Sequence, residues 1–151
     1  MLSNKAKYGI RALIHLAQQG SGPVLIKNIA EKERIPRKFL EAILLEFKIG
    51  GLLQSKAGKG GGYYLRQAPS AINLAHVIRI IDGPLAPIPC ASQTAFVPCA
   101  DCIDVQKCVI RQVMRQVRDA TANILEQTTL DRLVKEQEHL NNPAYEYDFH
   151  I

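Results

Sequence analysis

Nowhere does the chain hold an apolar run approaching the roughly 18 residues of a membrane span. The N-terminus is basic, but Arg11 interrupts its apolar residues, so the core of a signal peptide is missing too. A cytoplasmic protein without a membrane partner is expected, in a compartment where thiols stay reduced. Cysteine is missing from every position outside residues 90–108. That counts against a disulfide framework and points to metal or redox chemistry. Acidic residues are scarce in the first part of the chain. Residues 1–66 hold 4 Asp/Glu against 12 Lys/Arg, a net of +8, whereas residues 67–151 hold 10 against 7, a net of −3. Basic charge confined to one half suits a polyanion-binding surface, where a merely solvated surface would mix the signs. Finally, no His, Asp or Glu is visibly paired with the cysteines, and no βαβ pattern surrounds them. Both absences argue against a cysteine-based redox enzyme.

What is present is organised around Ile35–Arg66, IPRKFLEAILLEFKIGGLLQSKAGKGGGYYLR. Pro36 suits the first position of a helix. Leu40, Ile43, Leu44 and Phe47 then repeat at helical spacing as one buried stripe, with Arg37, Lys38, Glu41 and Lys48 on the other side. Gly50-Gly51 ends the helix. Leu52–Ser55 and Gly62–Arg66 read as short strands, joined by a turn holding Lys56, Gly58, Lys59, Gly60 and Gly61. This is the outline of a recognition helix followed by a wing; the competing reading is an ordinary surface helix and hairpin. Upstream, Ser3 or Asn4 caps a helix whose inner face is Ala6, Ile10, Leu13, Ile14 and Ala17. Lys5, Lys7 and Arg11 lie near its start, available to phosphates. His15 reads as a residue at the core edge and not a ligand, since no partner stands at metal-binding spacing. Gly20–Pro23 stops this helix, and a shorter one with Ile26, Ile29 and Ala30 inward completes a helix-turn-helix pair.

Downstream, Asn73 caps a helix with Leu74, Val77, Ile78 and Ile81 inside, ended by Gly83-Pro84. Residues 83–98 hold four of the eight prolines and form a loop. Asp104 is the expected N-cap of a long helix. There Ile110, Val117 and Ile124 recur every seven residues with Val113 or Met114 between, a seam for packing against a second copy or against the chain's own domain. Thr128 or Thr129 caps a last helix bearing Leu130, Leu133, Val134 and Leu140. In the tail, Tyr145, Tyr147, Phe149 and Ile151 alternate with polar residues, as an extended segment or a frayed end. The expected fold is mainly α, a winged helix-turn-helix with a two-stranded wing plus a long C-terminal dimerisation helix. The expected division is residues 1–82 for the DNA-binding domain, 83–103 for the cysteine loop, 104–140 for dimerisation helices and 141–151 for the tail.

Cys90, Cys99, Cys102 and Cys108 are spaced C-x8-C-x2-C-x5-C. Four thiolates suit an iron–sulfur cluster or zinc, while a thiol switch and inert cysteines are the other readings. A helix starting at Asp104 places Cys108 in its first turn, where the dipole favours a thiolate.

These segments together resemble the IscR, NsrR and CymR group of bacterial regulators, the Rrf-two family. The carriers are KAKYGIRALIHLA, IPRKFLEAILLEFKIGGLL, SKAGKGGGYYLR, INLAHVIRIIDGPLAP, and the cysteine loop followed by IRQVMRQVRDATANIL. The resemblance implies a homodimeric transcription regulator bound to palindromic double-stranded DNA. Many such proteins hold an iron–sulfur cluster, 2Fe–2S or 4Fe–4S, before the dimerisation helix and sense iron–sulfur status, nitric oxide or redox state with it. Others, of the CymR kind, hold none and answer to a partner protein of cysteine metabolism. Cys102 and Cys108 match the family's C-x5-C ligand pair, and either Cys90 or Cys99 matches the earlier ligand. Positions of a fourth, non-cysteine ligand carry Lys7 and Arg111, neither suited to iron, so all-cysteine ligation is implied. Glu41 matches a glutamate that discriminates bases, consistent with accepting from a cytosine amino group. A family arginine of the minor groove is replaced by Ala57, which leaves Lys56 and Lys59 as phosphate contacts without arginine's planar fork.

Overall fold

The computed structural model describes residues 2–142; the alternating aromatic tail from Tyr145 onward lies outside them. Helix α1 (Asn4–Gln18) begins at Ser3, whose hydroxyl accepts from the Ala6 N–H at 2.9 Å. It is followed by α2 (Ile26–Glu33), α3 (Arg37–Ile49), strands β1 (Leu53–Lys56) and β2 (Gly62–Leu65), α4 (Leu74–Ile81), α5 (Val109–Gln127) and α6 (Leu130–Leu140). One-turn 3-10 helices at Pro69–Ala71 and Pro89–Ala91 punctuate the connections.

Apolar spacing decides which faces meet. Leu40, Ile43, Leu44 and Phe47 of α3 are fully buried, together with Leu13 of α1, Ile29 of α2 and Val77 of α4. Helix α1 packs on α2, α3, α4 and α6, so it is the post round which the others stand. Its approach to α3 depends on Gly9, where a Cβ would sit 2.7 Å from Cζ of Phe47. Truncating a buried phenylalanine costs about 3–5 kcal/mol, so this contact anchors the recognition helix. The turn between α2 and α3 closes at Arg34, the one non-glycine residue with positive φ (53°) among those described. The Ile35 N–H returns to the Ala30 carbonyl at 3.0 Å, a left-handed C-cap where glycine would be cheaper. Buried His15 braces this turn: its Nδ1 lies 3.1 Å from Oε1 of Glu33, and Arg11 donates to the Glu33 carbonyl.

The strands pair antiparallel from Leu53 opposite Leu65 to Lys56 opposite Gly62. A third, one-residue strand is added by Val24, which exchanges two backbone hydrogen bonds with Tyr63, at 2.8 and 2.9 Å. It ties the wing to the entry of α2.

Two expectations change. The long helix starts at Val109, with Cys108 as its extended N-cap residue and no side-chain cap. Asp104 instead accepts from the Gln106 N–H at 2.8 Å, closing a local turn, so Cys108 precedes the helix and does not sit in its first turn. Helix α6 returns to the winged-helix body: the Leu130 N–H donates to the Ile72 carbonyl at 2.8 Å, and buried Leu130 joins the main core. Within the chain its apolar side thus serves that core, not the seam. The seam residues themselves face away: Ile110, Val113, Val117 and Ile124 are 64%, 47%, 44% and 64% exposed. The reading in which they pack on their own domain is therefore not how the single chain folds.

Candidate nucleic-acid interface and cysteine loop

Helix α3 presents Arg37, Lys38 and Glu41 from its first turn and a half, while its buried stripe holds it against α1. Arg37 Nε donates to Oε1 of Glu41 at 3.1 Å, with both side chains largely exposed. Such an i,i+4 pair is worth only about 0.3–0.5 kcal/mol, so either group can exchange it for another partner at little cost. At the other end Lys48 Nζ donates to Oγ of Ser55 at 2.7 Å, fixing the recognition helix to the wing.

Lys56 ends β1 and Lys59 stands in the turn, both exposed. That turn needs glycine at Gly61, where a Cβ would lie 2.3 Å from the Lys56 carbonyl oxygen. A cleft of about 350 Å³ opens between α2, α3 and the wing, lined by Lys27, Arg37, Ser55 and Lys56 over Leu25 and Tyr63. Lys27 is a cation that sequence reasoning missed. It belongs to the basic first half, but only the fold brings it beside Arg37 and Lys56. Lys5 is differently placed from expectation. Its ammonium pairs with Oε1 of Glu46 at 2.5 Å, clamping α1 to α3 and neutralising its charge. Lys7 is exposed on α1.

The four cysteines are free thiols. Cys90 is buried on the 89–91 turn, Cys99 is exposed, and Cys102 and Cys108 are half-buried. The Cys102 N–H donates to the Cys99 carbonyl at 3.2 Å, closing the CxxC turn. A hydrogen bond with Cys90, then the charge of Cys90, pushes the Cys99 thiol above its ordinary range. Burial first, then the charges of Cys99 and Cys108, pushes Cys102 up as well. The thiols thus sense one another as a crowd of potential anions, which a cation would favour in their thiolate form. Among the described residues no three His, Cys, Asp or Glu side chains stand in metal-holding geometry. The donor chemistry fits a soft metal centre, and reaching it takes movement of the loop.

Two arginines of α5 hold this loop. Arg111 Nε donates to the Cys90 carbonyl at 2.7 Å, and its guanidinium lies 5.7 Å from the Phe96 ring. Arg118 is buried and donates to the Ala91 carbonyl. Burial of Arg118 is the least expected feature, since a charged residue between seam positions reads as solvated.

A family model described as an iron-dependent transcriptional regulator matches residues 2–136. The chain belongs to the Rrf2 family. An rrf2-like HTH-type transcriptional regulator of Rhodobacter capsulatus is 37% identical over 148 residues, covering 95% of this chain and 96% of the relative. The Bacillus subtilis HTH-type regulator CymR is 30% identical, with 87% and 88% covered. Its solved structure, described as the global cysteine regulator, superposes with a TM-score of 0.73 over 90% of this chain and 97% of that one. An IscR from T. potens superposes with a TM-score of 0.76 at 27% identity, covering 96% and 93%. The architecture is therefore the DNA-binding winged helix of Rrf2 transcription regulators, and the relatives named are transcription regulators, not enzymes. Likeness reaches a CymR and an IscR alike. No helix among the described residues is long and apolar enough to cross a membrane.

Proposed function

We propose that this Rrf2 protein is a cytoplasmic, homodimeric transcription regulator whose DNA affinity depends on an iron–sulfur cluster held by Cys90, Cys99, Cys102 and Cys108. The observation that carries this reading is the gathering of four free thiols in one loop, tied to the exposed-seam helix and adjoining a winged helix with an uncovered cationic face. Zinc would use the same thiolates and is the alternative occupant. When bound, the cluster supplies a redox-sensitive crosslink across the loop.

The chain's own residues do the rest. Arg37 and Lys38 contact the major groove edge and backbone, Glu41 accepts from a cytosine amino group, and Lys56 and Lys59 contact phosphates. Lys7 adds a phosphate contact from α1, whereas Lys5 must first leave Glu46. Ile110, Val113, Val117 and Ile124 meet their copies across a two-fold axis, which makes the operator palindromic. A second reading, a metal-free thiol switch, is favoured by the free thiols of Cys99 and Cys102 on one closed CxxC turn, with Cys99 exposed.

Protein purified without oxygen decides between them. It should be coloured and hold iron and sulfide in equal amounts, and Cys102→Ala or Cys108→Ala should bleach it. Colourless protein, with one zinc per chain or with no metal, would overturn the cluster.

A further inference from the structure

Arg111 and Arg118 stand seven residues apart on α5, hence two turns apart on one side. Both reach the same short turn, Pro89–Ala91. Arg111 donates to the carbonyl of Cys90 and Arg118 to that of Ala91. Two further donors of Arg118 go to its neighbour Asp119, at 2.8 and 2.5 Å. Loop segments 84–86 and 92–94 line one small cleft together with Arg118, which is 8% exposed as a residue. Burying a guanidinium is expensive, and packing alone would be served by an apolar residue. A planar group with donors on two edges does something else: it joins a backbone carbonyl to a carboxylate. Phe96 against the Arg111 guanidinium adds a further contact between loop and helix.

We infer that Arg111 and Arg118 are positioning residues for the cysteine centre. They fix Cys90 against α5 before any metal arrives, so the centre assembles round one immobile, buried thiol. Exposed Cys99, already beside it, joins as the next ligand. Because Ile110 and Val117 adjoin the two arginines in the chain, the tether also links the backbone of Cys90 to the seam. This rests on the cluster reading for its purpose, while the tether itself is tested without metal.

The experiment uses the full chain, stripped of metal by a chelator and kept reduced. Brief iodoacetamide labelling is read cysteine by cysteine by mass spectrometry. In the wild type Cys90 should be the slowest to react. Arg118→Met and Arg111→Met should each speed Cys90 about tenfold, the opening expected when one charge-assisted hydrogen bond is lost. Cys99 should not change, and Arg118→Lys, which keeps a donor but loses the fork, should give a Cys90 rate between wild type and Arg118→Met. Iron and sulfide taken up anaerobically should fall in the Met variants and fall less in Arg118→Lys. Wild-type Cys90 rates in both Met variants would overturn the tether. So would equal acceleration of all four cysteines, which marks general unfolding; if Arg118→Met fails to fold, half-buried Arg111→Met carries the test alone. A tether that behaves as described in a wild type that takes up no iron would instead refute the cluster reading.

Discussion

Gly62→Ala probes how far the Val24–Tyr63 backbone pairing, beside the Lys48–Ser55 hydrogen bond, holds the wing to the helix-turn-helix. Gly62 has φ of +138°, a conformation that side-chain-bearing residues rarely adopt. An added Cβ would lie 2.2 Å from the Val24 carbonyl oxygen and 2.4 Å from its carbon. The nearest atoms all belong to the Val24–Leu25 peptide, which leaves no side chain to swing away, so the Val24–Tyr63 pairing must open. Opening it loses two backbone hydrogen bonds, about 1 kcal/mol each. Backbone strain of order 1–3 kcal/mol is relieved only in part by that movement. The expected loss is therefore about 2–4 kcal/mol, a large share of the ~5–15 kcal/mol typical of a domain. Gly58→Ala is the control: φ is +82°, but no atom lies within 4 Å of its Cβ, so only conformational strain of about 1 kcal/mol applies. Urea unfolding followed by circular dichroism should give a lower midpoint for Gly62→Ala with helix content kept. DNA binding should weaken as the wing loses its anchor. A midpoint and DNA affinity for Gly62→Ala matching those of Gly58→Ala would refute the reasoning.

Val117→Asp places two carboxylates at the middle of the proposed seam, and sedimentation should show dimerisation weakened about a hundredfold, roughly 3 kcal/mol; a wild-type monomer, or a dimer indifferent to the change, would mean the seam is wrongly assigned. Lys56→Ala and Lys59→Ala should weaken binding to all DNA and flatten the salt dependence by about one unit of slope each. Glu41→Ala should leave affinity for random DNA level or higher and cost roughly 1–3 kcal/mol of discrimination at one base pair. Equal losses on specific and random DNA for all three would remove Glu41 from base readout. Asp131 accepts from the Thr129 hydroxyl and the Arg132 N–H, which hold its carboxyl below the ordinary range against the opposing effect of burial. A depressed folded-state value means stabilisation present at neutral pH and lost as pH falls through the carboxylate range. The midpoint difference between wild type and Asp131→Asn should thus shrink on acidification; a constant difference would count against the linkage.

The helix-turn-helix and wing were legible because their apolar stripes are regular and glycine marks their ends. The wing strands fall within a residue of expectation, Leu53–Lys56 against Leu52–Ser55. Val24 was not legible, since one paired residue leaves no periodicity to read. Asp104 misled because a capping residue serves a local Asx turn equally well, and only the following residues decide. The heptad pattern located the exposed face of α5 and hid its opposite face. Nothing in that pattern singles out Arg118, and Arg111 stood out only as a position unsuited to iron, yet both donate to loop carbonyls. Of the cysteines, sequence spacing indicated shared chemistry; burial of Cys90 and exposure of Cys99 came from packing.

The measurement that bears most directly on the account is operator affinity with and without the cluster, at one salt concentration. The operator is first selected from randomised duplexes with anaerobically purified protein, and again with protein stripped by a chelator, so neither form is favoured. A cluster shifts DNA binding only by its different stability in the two loop arrangements. Couplings of about 1–3 kcal/mol correspond to roughly 5- to 150-fold in affinity. The account predicts at least that lower factor on the selected operator and little change on random DNA. Identical operator affinities for the two forms would contradict it, leaving the cysteine loop a structural staple on a DNA-binding protein.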